Sequence, residues 1–251
     1  MKQNEIVRYC DELLRIEAIK DFCPNGLQVE GDDREVKTVA LGVSISMEFI
    51  QKAMEAGADM IMTHHGLIWD KNSRRIQGPF RKKVMQLINS GIAAVSYHLP
   101  LDFHPELGNN IQLAQTLELK DLECISDKPD LAEAVSGKTA CSTIEELAEL
   151  IESKLSRKPM ILPFGREPIE KVLIMTGGTQ GYYLTAIEQG ADCFITGEIS
   201  ELNYAMSQEY ELHFVSAGHY ATEKWGILAL GNRLSETFGL KCRFIEIDNP
   251  I

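Results

Sequence analysis

The sequence predicts an α/β protein built as two similar layered lobes related by internal duplication, with a metal site between them. Three observations lead there. Strand-like and helical patterns alternate along much of the chain, a pattern that favours layered folds with substantially parallel sheets. A stretch near residue 40 is echoed near residue 173. Histidines and carboxylates gather at the ends of predicted strands in both halves.

Apolar residues at helical spacing, Ile6, Cys10, Leu13 and Ile16, predict an opening amphipathic helix. Cys23-Pro24-Asn25-Gly26 then supplies turn chemistry. Val39 to Val43 reads as a strand, Ser46 to Ala56 as a helix closed near Gly57, and Met60 to Thr63 as a second strand. A helix follows Pro79 and stops at Gly91, and Ile92 to Tyr97 is again strand-like. Between the halves, Thr143-x-x-Glu146 has the form of a capping box and opens a helix through Leu155, while Pro129, Pro159, Pro163 and Pro168 punctuate the segment. The expected lobes are residues 1–125 and 126–251.

The echo is visible when Val39 to Thr63 is laid over Val172 to Thr196, a constant offset of 172 − 39 = 133 residues. Ala53, Gly57, Ala58, Asp59 and Thr63 then match Ala186, Gly190, Ala191, Asp192 and Thr196. A second match follows. Val95-Ser96 precedes His98-x3-Asp102, and Val215-Ser216 precedes His219-x3-Glu223.

Composition narrows the function. The chain has 251 residues, with 25 Lys and Arg against 37 Asp and Glu, a formal charge of −12. Such a field repels phosphate backbones and anionic lipid, which argues against nucleic acid or a membrane surface as partner and leans towards a small molecule. No apolar run of about 18 residues is present and Asp11 and Glu12 interrupt the start, so a cytoplasmic protein without a signal peptide is expected. The six cysteines are scattered without a CxxC pair, which predicts buried reduced thiols.

Ligands in open α/β folds collect beyond the carboxyl ends of strands. Residues His64, His65, Asp102, His219 and Glu223 all fall there. Imidazole nitrogen with carboxylate oxygen suits Zn, Fe, Mn or Ni, and three histidines with two carboxylates can hold two divalent ions. If Glu223 opened the helix that continues through Trp225 to Leu234, the four-residue spacing would put it on the same face as His219. Asp102 has a plainer reading as a helix cap near Gly108-Asn109, and Glu223 as a first-turn acid. His98 and Glu198 are the candidate acid/base residues, Glu198 matching His65 at the offset of 133. His104 divides evenly between the site and a plain surface role, and His213 reads as structural. Thr176-Gly177-Gly178-Thr179 could present N–H groups to a phosphate, although tight packing explains its glycines better.

Six segments strongly resemble the Nif-three-like dinuclear-metal proteins, often named GTP cyclohydrolase I type 2 homologues. They are Pro24 to Gly31, Thr63 to Gly66, His98 to Asp102, His104 to Asn110, Phe194 to Glu198 and Ala217 to Glu223, and the resemblance runs over essentially the whole chain. It implies a two-lobed protein with two metal ions per chain on His64, His65, Asp102, His219 and Glu223, self-associated as a toroidal homohexamer. It also suggests a metal-dependent hydrolase that opens the guanine imidazole ring of GTP and releases formate. A metal-stabilised scaffold or regulator, and a metal carrier, rank below that reading. The sequence departs from the family at Tyr220, where many bacterial members carry a second histidine, and at Trp225, where a glycine is expected nearby; both bear on pocket polarity.

Overall fold

The computed structural model describes residues 1–70, 75–128 and 130–251, so Pro129 lies outside the described residues. In chain order, α1 (Gln3–Leu13) leads to β1 (Gly26–Val29), β2 (Thr38–Ser44), α2 (Met47–Glu55), β3 (Met60–His65), α3 (Gly78–Ser90), β4 (Ala93–Ser96) and a short α4 (Leu99–Asp102). Then come α5 (Asn109–Thr116), β5 (Lys120–Ile125), β6 (Ala134–Lys138), α6 (Ile144–Leu155), β7 (Met160–Pro163), β8 (Lys171–Ile174), α7 (Tyr183–Glu188), β9 (Cys193–Thr196), α8 (Glu201–Glu209), β10 (His213–Ser216) and a one-turn α9 (His219–Thr222). The long α10 (Lys224–Phe238) and β11 (Lys241–Phe244) complete the order.

The chain forms two compact units. One comprises Met1–Leu101 with Gly226–Asp248, the other Asp102–Trp225 with Asn249–Ile251. The first unit is therefore discontinuous in sequence. The expected cut after residue 125 falls inside the second unit, which begins at Asp102, while β11 returns to pair with β2 in the first.

Among the described residues the first unit carries a five-stranded sheet in the order β1-β4-β3-β2-β11. All pairings are parallel except β1 with β4. Its inner strands are buried on both faces, which explains apolar runs such as Met60-Ile61-Met62 in place of polar alternation. Ala40, Ile61 and Ala94 pack with Phe49, Ile50, Ala53 and Leu87 from α2 and α3. Gly42 makes room for the Phe49 ring, which a Cβ would meet at 2.4 Å, and Gly231 of α10 lies so close to Leu41 that a Cβ would meet it at 2.2 Å.

The second unit's sheet has six strands among the described residues, in the order β5-β6-β8-β9-β10-β7. Strands β8, β9 and β10 are parallel, while β5, β6 and β7 are added antiparallel. Val172, Ile174, Ile195 and Val215 pack on one side with α5 and α6, and Leu173, Phe194 and Phe214 on the other. Burying a large aliphatic side chain contributes about 1.5–3 kcal/mol, so these two layers dominate the unit's stability.

The echo is a repeat of register. Val39, Ala40 and Leu41 lie opposite Met60, Ile61 and Met62, and their counterparts at +133, Val172, Leu173 and Ile174, lie opposite Cys193, Phe194 and Ile195. One carboxylate does the same work in each half. Asp59 Oδ2 accepts from Lys37 N and Thr38 N at 2.9 and 3.0 Å, and Asp192 Oδ2 accepts from Glu170 N and Lys171 N at 3.0 and 2.9 Å.

Several sequence expectations need correction. The first helix ends at Leu13, and Ile16 belongs to a separate 3₁₀ turn after Arg15, whose φ is +51°. Thr143 caps α6 as expected, but Glu146 accepts from Ser142 N rather than from the cap residue itself. All six cysteines are free, yet only Cys10, Cys23 and Cys193 are buried; Cys124 on β5 is exposed. No helix of the described residues is long and apolar enough to cross a membrane.

Candidate metal centre

In the first unit, β3 delivers His64 and His65 as its last two residues, and His98 follows β4 by two. Ring nitrogens of all three lie within 4.8 Å of one another. Each imidazole is oriented through Nδ1. The completely buried His64 places Nδ1 3.0 Å from the Tyr97 carbonyl; a carbonyl only accepts, so Nδ1 carries the proton and Nε2 the lone pair. His65 Nδ1 lies 2.9 Å from the hydroxyl of Ser44, its partner in the β2–β3 register. His98 Nδ1 donates to Asp21, with Oδ1 at 3.0 Å and Oδ2 at 3.2 Å.

Asp21 is itself almost enclosed. It accepts from Phe22 N, Cys23 N, Leu99 N and Asn25 Nδ2 at 2.7–3.1 Å. Burial pushes its carboxyl pKa up, but hydrogen bonding and charge from His98, with help from Asn25 and Cys23, bring it down to about 2. Asn25 Oδ1 also accepts from His98 N at 2.7 Å. Gln28 fixes the loop after His65, since its Oε1 accepts from Leu67 N and Ile68 N. Gly66 is needed there, because a Cβ would come within 2.3 Å of the Gln28 amide. The Pro24-Asn25-Gly26-Leu27-Gln28 segment thus braces both histidine-bearing loops.

The second unit supplies carboxylates. Asp102 closes α4 and accepts from Asn109 Nδ2 at 2.8 Å, so its link to α5 runs through a side chain rather than as a backbone cap. Glu223 follows α9 and precedes α10; it separates the two helices and does not open the longer one. Both carboxylates are buried, and each offers an oxygen within 4.8 Å of the other. His219 opens α9 and lies between two acids, with Nδ1 2.6 Å from Glu198 and Nε2 2.9 Å from Glu223. Burial lowers its pKa, but the two carboxylates outweigh that and raise it to about 9, so the metal-free form carries an imidazolium at neutral pH.

Glycine is required beside Glu223. Gly177 has φ +70°, and a Cβ there would meet Glu223 Oε1 at 1.9 Å. Its N–H is given to Thr222 Oγ1 at 3.1 Å and its carbonyl receives Gly197 N at 3.0 Å. The Gly177-Gly178 turn therefore packs against Glu223, and the Gly177 N–H is already spent within the fold. Gly218, at φ +98°, is the extra residue that places His219 three positions after β10 where His98 is two after β4.

The remaining sequence candidates take structural roles. His104 Nδ1 accepts from Glu106 N and Leu107 N, which organises a turn. His213 is buried in β10 and accepts from Gly165 N at 3.2 Å. Tyr220 is buried, with its N–H on the Ile251 carbonyl at 2.9 Å, and Trp225 packs against the second unit's core while donating to Ala221 O. Asp21, Ser44, Asn25 and Gln28 escaped the sequence reading as functional residues, although Asn25 and Gln28 lie in a segment already singled out.

The clustered imidazole nitrogens and the paired buried carboxylates are donor chemistry that could hold a divalent transition metal. Comparison with known proteins shows what the chain is similar to. A curated relative from Haemophilus influenzae named GTP cyclohydrolase 1 type 2 homolog is 42% identical, with all of both chains aligned. Among solved structures, the protein ybgI, of unknown function, superposes with a TM-score of 0.94 at 39% identity over all of both chains. The protein TTHA1606 from Thermus thermophilus does so at 0.91 and 32%, again over all of both chains. The sequence profile of Duf34/NIF3 (NGG1p interacting factor 3) matches residues 1–250, and the chain belongs to that family.

Proposed function

We propose that this protein is a metal-dependent hydrolase acting on a nucleotide-like substrate, with His64, His65, Asp102, His219 and Glu223 holding two divalent ions. The observation that carries this reading is the donor chemistry. His64 keeps its Nε2 lone pair because Nδ1 is engaged elsewhere, and Asp102 and Glu223 form a buried carboxylate pair. The name shared by the curated relatives directs the choice of GTP as the first substrate. Two ions of Zn, Fe, Mn or Ni held there would supply a water of lowered pKa and positive charge for phosphate oxygens.

The chain's own residues divide the rest of the work. His98 takes a proton at Nε2 while Asp21 accepts its Nδ1–H and stabilises the imidazolium that forms. Glu198 receives the Nδ1–H of His219 and sets that ring's orientation. Burial of Asp102 and Glu223 excludes water that would compete for their oxygens.

The test is elemental analysis and GTP turnover for wild type and Glu223→Gln. Near two ions per wild-type chain, with metal and turnover both reduced in the variant, is the expected result; turnover retained without metal sinks the proposal. Full metal occupancy with no turnover across a nucleotide panel would replace the hydrolase with a metal-stabilised scaffold. We also propose self-association as a homohexamer, supported by exposed Tyr182, Leu184, Leu202, Tyr204 and Tyr210 on the second unit. Sedimentation equilibrium giving a monomer would overturn it.

A further inference from the structure

Beside the histidine cluster, within the first unit, stands an aromatic pair that none of the roles above uses. Phe22 leaves 47% of its surface exposed, an unfavourable placement for so large an apolar ring, and Trp69 is half-buried next to it. The two ring centroids are 5.7 Å apart and their planes 33° from parallel. Each ring also meets His98 at 5.1 Å and a steep angle, 69° for Phe22 and 78° for Trp69, and Trp69 lies 5.8 Å from His65. The pair forms a wall along two of the three clustered imidazoles.

Hydrogen bonds hold the backbone of Phe22 and the indole of Trp69. Phe22 is pinned through both backbone groups, its N–H on Asp21 Oδ1 at 2.7 Å and its carbonyl under Asp70 N at 2.9 Å. Trp69 Nε1–H is held by the Gly66 carbonyl at 2.9 Å, and Gln28 holds the intervening loop through Leu67 N and Ile68 N. Fixing an exposed aromatic face in this way lowers the ordering cost of whatever stacks on it.

We propose that Phe22 and Trp69 form a stacking platform for a planar heteroaromatic ring, the base of the substrate; this rests on the nucleotide-hydrolase reading. The chemistry selects a flat ring over other apolar or cationic groups. A gap of 5.7 Å between centroids is too narrow to sandwich a ring, so the ligand stacks on the exposed part of Phe22. An ammonium would compete with the divalent cations that the neighbouring imidazoles suit, whereas a neutral base would not. Stacking also tolerates the protein's negative charge, which disfavours recognition through phosphate alone.

The test separates ring from phosphate. Calorimetry on metal-loaded wild type, Phe22→Leu, Phe22→Tyr and Trp69→Leu would use guanosine, which has the ring and no phosphate, and tripolyphosphate, which has phosphate and no ring. Guanosine affinity should fall about ten-fold or more in the two leucine variants, hold in Phe22→Tyr, and leave tripolyphosphate binding unchanged throughout. A second readout needs no change at the wall. In a Trp225→Phe background, Trp69 is the remaining tryptophan and its emission should be quenched by guanosine. Failure of guanosine to bind wild type, or equal binding by the leucine variants, overturns the platform. Guanosine binding that depends on Phe22 in a protein showing no GTP turnover would sink the hydrolase reading while supporting the platform.

Discussion

The β2–α2–β3 segment of the first unit and the β8–α7–β9 segment of the second share strand register, turn and carboxylate staple, yet end in different chemistry. His65 in one stands where Glu198 stands in the other, 133 residues on. The first unit gathers imidazoles braced by Asp21, Ser44 and a backbone carbonyl. The second sets Glu198 and Glu223 on one charged imidazole, with Asp102 beside Glu223. The difference teaches that the repeated scaffold fixes where side chains emerge and leaves their identity to a few positions past the strand ends.

Removing a donor from either set should have the largest effect. His64→Ala and Glu223→Gln should each weaken metal binding on the order of a hundred-fold or more, since groups that merely orient metal ligands already account for about 10–100-fold. Competition with a coloured chelator measures it, and an effect in only one variant would break the two-set description. Next comes Asp21→Asn. It should lower kcat about a hundred-fold, the scale of a lost acid/base group, while metal content stays at the wild-type level. Metal loss in that variant would make His98 a ligand instead.

The two sets should also differ in pH dependence. Because His219 is raised to about 9 in the metal-free protein, binding must expel a proton, and wild-type affinity should rise about ten-fold from pH 7 to 8. Glu198→Gln removes one of the two carboxylates that hold the proton, so the slope over that interval should flatten. In the metal-free protein the sign for stability is the reverse. A pKa raised above 6.5 contributes stability that is complete below pH 6.5 and is lost as pH rises through about 9, readable as a falling Tm in chelator. A pH-independent affinity would remove the imidazolium from this account.

The shared part of the scaffold should respond alike in both units. Asp59→Ala and Asp192→Ala each strip the acceptor from two strand N–H groups, at about 1.5–3 kcal/mol by denaturant titration. Unequal losses would show that the repeat is geometric only. His104→Ala, which removes the acceptor for Glu106 N and Leu107 N in a turn, should change metal binding by less than any of these.

Much of the molecule is legible in the sequence because it is local. Strand-end histidines, the offset of 133 and the helix stops at Gly57 and Gly91 all depend on residues a few positions apart. Asp21 is not legible, since it meets His98 across 77 residues and nothing in its neighbourhood marks it as a partner. Glu223 reads as a helix start because the apolar pattern runs on into α10, whereas its backbone leaves the helical region there, at φ −108° and ψ 11°. The antiparallel strands β5, β6 and β7 escape for a related reason. Two of them are edge strands with exposed residues, and β5 lacks the continuous apolar runs of the parallel core.

The pairing of β11 with β2 sets an order of events during synthesis. Residues 241–244 leave the ribosome about two hundred residues after Thr38–Ser44, when the whole of the second unit's main segment has already been made. The second unit can collapse on its own contacts, while the sheet bearing His64 and His65 waits for its last strand. Closing so long a loop is slow relative to local β–α–β formation. The braces of His64, His65 and His98 all lie within residues 21–99, so a ribosome stalled short of residue 241 would display that histidine cluster on a sheet still lacking its edge strand.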